Sequence, residues 1–515
     1  MKFDKKVFRD KIGGCWYGKT VGGTIGMPFE WKRQKNNVEF YTQDLSGAPV
    51  ANDDLDIQLL WLIALEKHGF DLDANVLAYY WQSFLAMHCA EYGISRANMQ
   101  CGLMPPLSGE ENNPFKDSCG AYIRSEIWAC VFAGQPDLAA RFAYEDAVLD
   151  HGGANEGVYA AIFCAVMESS AFIESDLRKL IEIGLSYIPK NCILAKAIGR
   201  AVECFDRGLT YFDAREIILQ EFRGQSCGVN SRFGVIYNIS EEDKKKSYEE
   251  GVRGFDAPSN IAFIVMALLY SKGDFSDAVC IATNLGEDTD CTAATVGAIL
   301  GIVNGKSEIP QKWLAPIGNK ITVACINVVD LPNLVPDTVD ELTDRTIELF
   351  ESAMKKYNFG TYKDSPVYDF FEHELTANDY IYEQLYKHIG CVKFDFPFYT
   401  VSLCYENGCR IKNGERKKIV CKIVTKSFLA NMLEIKWYHG ENVAVLPSDG
   451  GVIYAETSHA IANKEIELEY EIECLQISKK ERLVLEITLA GRCETMLVPV
   501  ILLDGNMKNR VDYGY

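Results

Sequence analysis

Residues 282–302 read ATNLGEDTDCTAATVGAILGI. Glu287, Asp288 and Asp290 fall within four positions, and the run that follows, beginning near Thr292, consists almost wholly of apolar and small helix formers. A helix that is apolar all round is buried, so this segment predicts a helix inside a core with carboxylates at its mouth. Neighbouring acids repel one another, and acids at the entrance to a buried helix are costly unless something positive neutralises them.

A second stretch, residues 50–63, VANDDLDIQLLWLI, repeats the arrangement. Asn52 suits an N-cap, and Asp53, Asp54 and Asp56 open an amphipathic helix. First-turn carboxylates also favour the positive end of the helix dipole, so taken alone this segment reads equally as capping. Two such clusters, far apart and with no basic residue beside either in the sequence, together point to divalent cations, which take oxygen ligands. Closing on one pair of ions, they would clamp substrate oxygens and ready a water for attack.

Outward from these segments, apolar residues recur at spacings of three and four from Lys6 to Lys356, as in VDELTDRTIELFESAMKKY (339–357). This predicts a compact helical domain over 1–356. Turn formers in NFGTYKDSP (358–366) open a linker, 357–390, which carries one short helix in YIYEQLYKHIG. Beyond it, FYTVSLCYENGCRIKNGERKKIVCKIV, MLEIKWYHG, IELEYEIECLQI and LVLEITLAG alternate apolar with polar residues between turns. Residues 391–515 are therefore expected to form a β-sandwich accessory domain.

The formal net charge of −20 repels phosphate backbones, which argues against nucleic-acid binding through bulk charge. The 18 cysteines are scattered without a CxxC pair, so reduced thiols are expected. The first residues hold no apolar run of signal-peptide length, and no stretch reaches the roughly 18–20 apolar residues of a membrane span. No membrane association and a cytoplasmic location are the corresponding expectations.

Four segments of the first 320 residues or so resemble, in order, those of the ADP-ribosylglycohydrolases. GGCWYGKTVGGTIGMPFE (13–30) resembles the family's opening helix and Gly-Ala-Pro-Phe-Glu loop, ending at Glu30. Asn52-Asp53-Asp54-Leu55 resembles Thr-Asp-Asp-Thr. Ser118-Cys119-Gly120-Ala121-Tyr122-Ile123-Arg124 looks like the Gly-Asn-Gly loop, and Asp150-His151 downstream is similar to Thr-His. NLGEDTDCTAATVGAILG resembles the Asn-Leu-Gly-Gly-Asp-Thr-Asp-Thr motif, followed by IPQKWL, similar to Ile-Pro-x-x-Trp.

The resemblance implies a multidomain chain: an all-α ADP-ribosylglycohydrolase-like domain followed by the small all-β, sandwich-like one. It implies a dinuclear Mg²⁺ site, with Mn²⁺ as a substitute, on Asn52, Asp53, Asp54, Asp288, Asp290 and Cys291. Glu30, Asp53 and Asp54 become the candidate catalytic acids, and Ser118, Gly120, Tyr122 and His151 the candidate substrate contacts. The loop containing Gly120 is where a diphosphate would rest on backbone N–H groups, and Tyr122 would stack on adenine or ribose. The implied reaction is hydrolysis of the glycosidic bond between ADP-ribose and its acceptor, an ADP-ribosylated protein or a small ADP-riboside. Hydrolysis of another N- or O-riboside, or binding without catalysis, are the alternatives. The β domain is expected to bind a carbohydrate or protein or to mediate oligomer contacts.

The chain departs from the family pattern with Asn52 and Cys291 at Thr positions and Cys119 at an Asn position. Asp56 replaces a Gln and Glu287 a Gly, which sets two additional carboxylates near the expected site.

Overall fold

The computed structural model describes residues 2–30, 32, 34–223, 254–331, 333–362, 365–387, 389–426, 431–455, 465–491 and 495–506. Helices dominate as far as Tyr357, and strands dominate from Cys391 onward. The helix Val339–Tyr357 shows why the periodicity was informative: it buries Val339, Leu342, Thr346, Leu349, Phe350 and Ala353 along one stripe. It stops where Asn358 turns left-handed (φ 52°). The helix Asp53–His68 is buried continuously from Asp54 to Leu65, with Asn52 as its N-cap. The helix after the second acidic cluster runs Thr289–Asn304 and is buried almost throughout. It begins three residues before the expected Thr292, because Asp290 and Cys291 lie within its first turn rather than before it.

The helical part is not purely helical. Lys2–Asp4 pairs antiparallel with Val367–Phe370, which pairs in turn with Gly360–Thr361, so the segment after Tyr357 is tied back to the N-terminus. The short helix in the segment that follows is Asp379–Tyr386.

The β region contains two five-stranded sheets among the described residues. One orders Gly450–Ala455, Asn431–Tyr438, Lys480–Leu489, Thr495–Asp504 and Arg410–Ile411; the other orders Cys391–Asp395, Tyr399–Tyr405, Arg416–Thr425, Glu465–Cys474 and Val443–Leu446. Inward residues of both, among them Leu403, Ile423, Ile435, Leu485 and Val500, share one apolar cluster, as the alternating sequence requires. Leu103 and Leu107, from the helical part, are buried in that same cluster. Against the expectation of thiols throughout, Cys391 and Cys404 form a disulfide: they sit directly opposite one another in the antiparallel register.

What positions the site is a seam of small residues. A Cβ on Gly14 would lie 2.0 Å from the Gly301 carbonyl oxygen, one on Gly18 2.0 Å from that of Gly297, one on Gly22 2.0 Å from that of Ala293, and one on Gly26 2.3 Å from that of Thr289. The helix Lys5–Gly26 therefore packs backbone to backbone, antiparallel, against Thr289–Asn304. Its C-terminal end meets the other's N-terminus, where the Thr289 hydroxyl donates to the Gly26 carbonyl over 2.8 Å.

Candidate active site

The seam carries Glu30, one short turn beyond Gly26, to the mouth of the Thr289–Asn304 helix, where Asp288 and Asp290 stand. Carboxylate oxygens of Glu30, Asp288 and Asp290 all come within 4.8 Å of one another. The start of the Asp53–His68 helix arrives from the other side. Asn52 links the two: its carbonyl accepts from the Asp54 N–H over 2.8 Å, and its amide donates to Asp290 over 3.2 Å. Ligand atoms of Asp54, Asp290 and Cys291 form a second group within 4.8 Å, the Cys291 thiol lying 3.7 Å from Asp54 Oδ2.

Though neither cluster has a basic neighbour in sequence, the fold supplies one. Lys19, buried in the first helix, places its ammonium 3.1 Å from Asp54 and 2.8 Å from Glu126 and donates to the Ile123 carbonyl over 2.6 Å. One ammonium does not balance the cluster. Burial and then the Asp54 charge push Asp53 up to about 6, against the 3.0 Å hydrogen bond it accepts from Tyr92. Burial raises Asp288 to about 7, reinforced by Asp54 and opposed by the Cys291 thiol. Glu30 and Asp290 are driven well above the ordinary carboxylate range, Glu30 by burial and then the Asp288 charge, Asp290 by burial and then the Glu30 and Asp288 charges. Asp288 Oδ1 and Asp290 Oδ1 are buried with no hydrogen-bond donor. Oxygen donors gathered this way, short of positive charge and of protons to accept, fit a divalent cation.

A cavity of about 270 Å³ opens beside the cluster. Glu30, Asn52, Asp53, Asp288 and Cys291 form its acidic end; Glu91, Tyr92, Phe115, Cys119, Gly120 and Phe255 line the rest. Phe115 and Phe255 are stacked, with ring centroids 5.8 Å apart.

A family model described as ADP-ribosylglycohydrolase matches residues 4–355. The chain belongs to the ADP-ribosylglycohydrolase family. Membership makes it a glycosidase-type hydrolase of ADP-ribosyl linkages. An uncharacterized protein of Archaeoglobus fulgidus is 24% identical over 322 residues, 59% of this chain and 90% of its own. The ADP-ribosylarginine hydrolase Tri1 of Serratia proteamaculans is 36% identical over 80 residues, 16% of this chain and 21% of that protein. A FixG-related protein from Vibrio parahaemolyticus aligns with 21% of the chain and 99% of its own, at 8% identity and a TM-score of 0.17, too slight a likeness to bear on the fold.

In this ADP-ribosylglycohydrolase the loop 118–124 contributes Cys119, Gly120 and Ile123 to the cavity lining. The N–H groups of Ser118 and Cys119 donate to the carbonyls of Phe115 and Phe255, so both are already engaged by backbone. Gly120 is tightly packed: a Cβ there would lie 2.3 Å from Glu91 Oε1 and 2.9 Å from the Tyr92 ring, so both side chains would have to shift. The Ser118 side chain, Tyr122 and His151 are fully buried and lie outside the cavity lining. His151 Nδ1 contacts the Lys116 carbonyl at 3.0 Å, and the Tyr122 phenol sits beside Cys119 and Cys291, behind the acidic cluster. Arg124 is a brace: it pairs with Asp146 (2.8 Å) and Asp150 (2.7 Å) and donates to the Gly120 carbonyl, fixing the loop from beneath.

The two extra carboxylates do not join the cluster. Asp56 accepts the backbone N–H groups of Ala324 (2.7 Å) and Cys325 (2.6 Å) and so holds the cavity wall that Cys325 contributes. Glu287 pairs with Arg223 at 2.7 Å, a cation 64 residues away that the sequence could not place beside it.

Lys19, Glu91, Tyr92, Phe115 and Phe255 are the site residues that sequence reasoning missed. Lys19 had a signal, since it is the only charged residue between Lys11 and Glu30, in an otherwise apolar and small-residue stretch of its helix. The others had none.

Proposed function

We propose that the protein hydrolyses the glycosidic bond between ADP-ribose and an acceptor side chain or small aglycone in the cytoplasm, using two divalent cations with Mg²⁺ as the physiological ion of the all-oxygen position. The convergence of Glu30, Asp53 and Asp54 with Asp288 and Asp290 carries this reading. Asp288 and Asp290 offer unpartnered buried oxygens, and Asp54 offers the oxygen that faces Cys291. Bound cations would orient the ribose hydroxyls and acidify a water. The chain's own residues supply the rest: Tyr92 fixes Asp53, Asn52 fixes Asp290, and Glu30 and Asp53, which line the cavity, are the groups able to accept the water's proton. Departure of the acceptor passes through an oxocarbenium-like state that the surrounding carboxylates stabilise.

The Serratia relative's name points to arginine-linked ADP-ribose as the first substrate to test. The experiment incubates the protein with Arg- and Ser-linked ADP-ribosylated proteins and small ADP-ribosides, in Mg²⁺ and then in chelator, and measures free ADP-ribose. Magnesium-dependent release from one class supports the proposal. Binding without release from any class would establish the inactive alternative instead.

One observation favours a second reading. Among the described lining residues the cavity has no Lys or Arg, while Glu30, Asp53, Glu91 and Asp288 all face it. That composition suits a riboside without a diphosphate, and nucleosides belong in the same assay.

A further inference from the structure

The two ligand groups differ in chemistry. Glu30, Asp288 and Asp290 offer oxygen alone, whereas Asp54, Asp290 and Cys291 include a thiol. Cys291 is 6% exposed and Asp290 1% exposed, so neither donor is bathed by solvent. Asp290 Oδ1 is buried with no donor to satisfy it. Asp54 divides its carboxylate, one oxygen at Lys19 and the other toward Cys291, so the fixed ammonium already offsets part of the negative charge on that side.

Mg²⁺ demands near-octahedral oxygen coordination and gains little from sulfur. A small borderline cation such as Zn²⁺ binds thiolate readily, and three protein ligands with one position left for water is its common reactive arrangement. Asp54, Asp290 and Cys291 are three ligands of that kind, and Cys291 among them lines the adjoining cavity.

We propose that the Asp54–Asp290–Cys291 position is a mixed oxygen–sulfur site selective for a thiophilic divalent cation such as Zn²⁺ over Mg²⁺, with Asp290 shared between it and the all-oxygen position. The inference rests on the cation-binding reading of the clusters given above and adds the identity of one ion. On binding, the Cys291 S–H bond breaks, its proton leaves to buffer, and the sulfur lone pair forms the bond to the metal; no oxidation state changes.

The test uses the full chain, stripped with chelator and titrated with Co²⁺ as a spectroscopic probe in excess Mg²⁺. A near-ultraviolet sulfur-to-cobalt charge-transfer band that saturates at one equivalent is expected, and it persists in Cys119→Ser. In Cys291→Ser and in Cys291→Thr the band disappears while Mn²⁺ binding, followed by calorimetry, remains. Zn²⁺ affinity in both variants falls by at least about 10–100-fold, the loss typical of disturbing even an outer-shell partner. Cobalt binding without the band, or a band that survives in both Cys291 variants, overturns the proposal and leaves the oxygen position standing. Failure of the wild-type chain to bind Mn²⁺ or Co²⁺ at all removes the cation reading on which it rests.

Discussion

Two buried side chains at the site carry opposite consequences when changed. Lys19 neutralises Asp54 and Glu126 where no water can do so, with all three side chains at most 2% exposed. Lys19→Met removes the ammonium and leaves two carboxylates facing one another, a loss on the order of 3–5 kcal/mol for breaking a buried pair. Urea denaturation checks it, and a variant as stable as the parent would show that Lys19 is not the counter-charge. Glu91 behaves differently. Burial and then the Asp150 charge raise its carboxyl to about 8, so it is neutral at physiological pH and lies against Gly120 as a carboxylic acid. A carboxyl whose pKa is higher in the folded chain adds its full stability below the unfolded pKa and loses it as pH rises through the folded value. For Glu91 that window runs from 4.5 to about 8. Glu91→Gln does not titrate, so the variant's Tm minus the parent's is expected to increase with pH across the window and level off above it. A flat difference from about pH 5 to about pH 9 would contradict a neutral buried acid. Of these two residues only Lys19 was visible in the sequence, as the lone charge between Lys11 and Glu30. Glu91, in the run AEYG, reads as an ordinary exposed first-turn acid, and its burial depends on Gly120 arriving from 29 residues further along.

Between elements, the seam between the first helix and Thr289–Asn304 decides the geometry. In an isolated helix, Gly18→Ala or Gly22→Ala would stabilise by roughly 1 kcal/mol through propensity. Here each added Cβ would sit 2.0 Å from a backbone oxygen of the facing helix, which no rotamer change relieves. Overpacking costs about 1–3 kcal/mol, so the sign reverses, and the helices must separate where Glu30 approaches Asp288 and Asp290. Both Tm and Mn²⁺ affinity should fall together, and loss of Tm with unchanged Mn²⁺ binding would show that the seam does not position the cluster. The helices themselves were legible because burial of one stripe leaves a spacing of three and four, as in Val339–Tyr357. The acidic clusters were legible because carboxylates at the start of the buried Asp53–His68 and Thr289–Asn304 helices are anomalous. The pairing of the helices was encoded too, in Gly14, Gly18, Gly22 and Gly26 facing Gly297 and Gly301, but single glycines read as turn formers until a partner is known. The Arg223 partner of Glu287 and the Ala324–Cys325 segment held by Asp56 were illegible, since each depends on a contact between segments far apart in the chain.

At the scale of the whole molecule, the β region is bound into the helical part instead of hanging from it. Leu103 and Leu107, 1% and 5% exposed, complete the apolar cluster of the sandwich. Around them Glu111 pairs with Arg410 at 2.6 Å, and Glu145 with Lys393 at 3.1 Å. The segment that carries these leucines continues into the cavity wall: Ser108 donates to the Leu149 carbonyl over 2.7 Å, and Phe115 lines the cavity. Removing residues 391–515 would return both leucines to water at about 1.5–3 kcal/mol each and free the segment that ends in Phe115. The expected result for a chain ending at Gly390 is a lower Tm and a raised KM with kcat less affected, because the acidic cluster stands on the helical seam while the aromatic wall depends on the sandwich. Leu103→Ser and Leu107→Ser in the full chain should reproduce part of the Tm loss by withdrawing the same contacts. A shortened chain with the parent's Tm and KM would show that the cavity wall holds its shape without the sandwich.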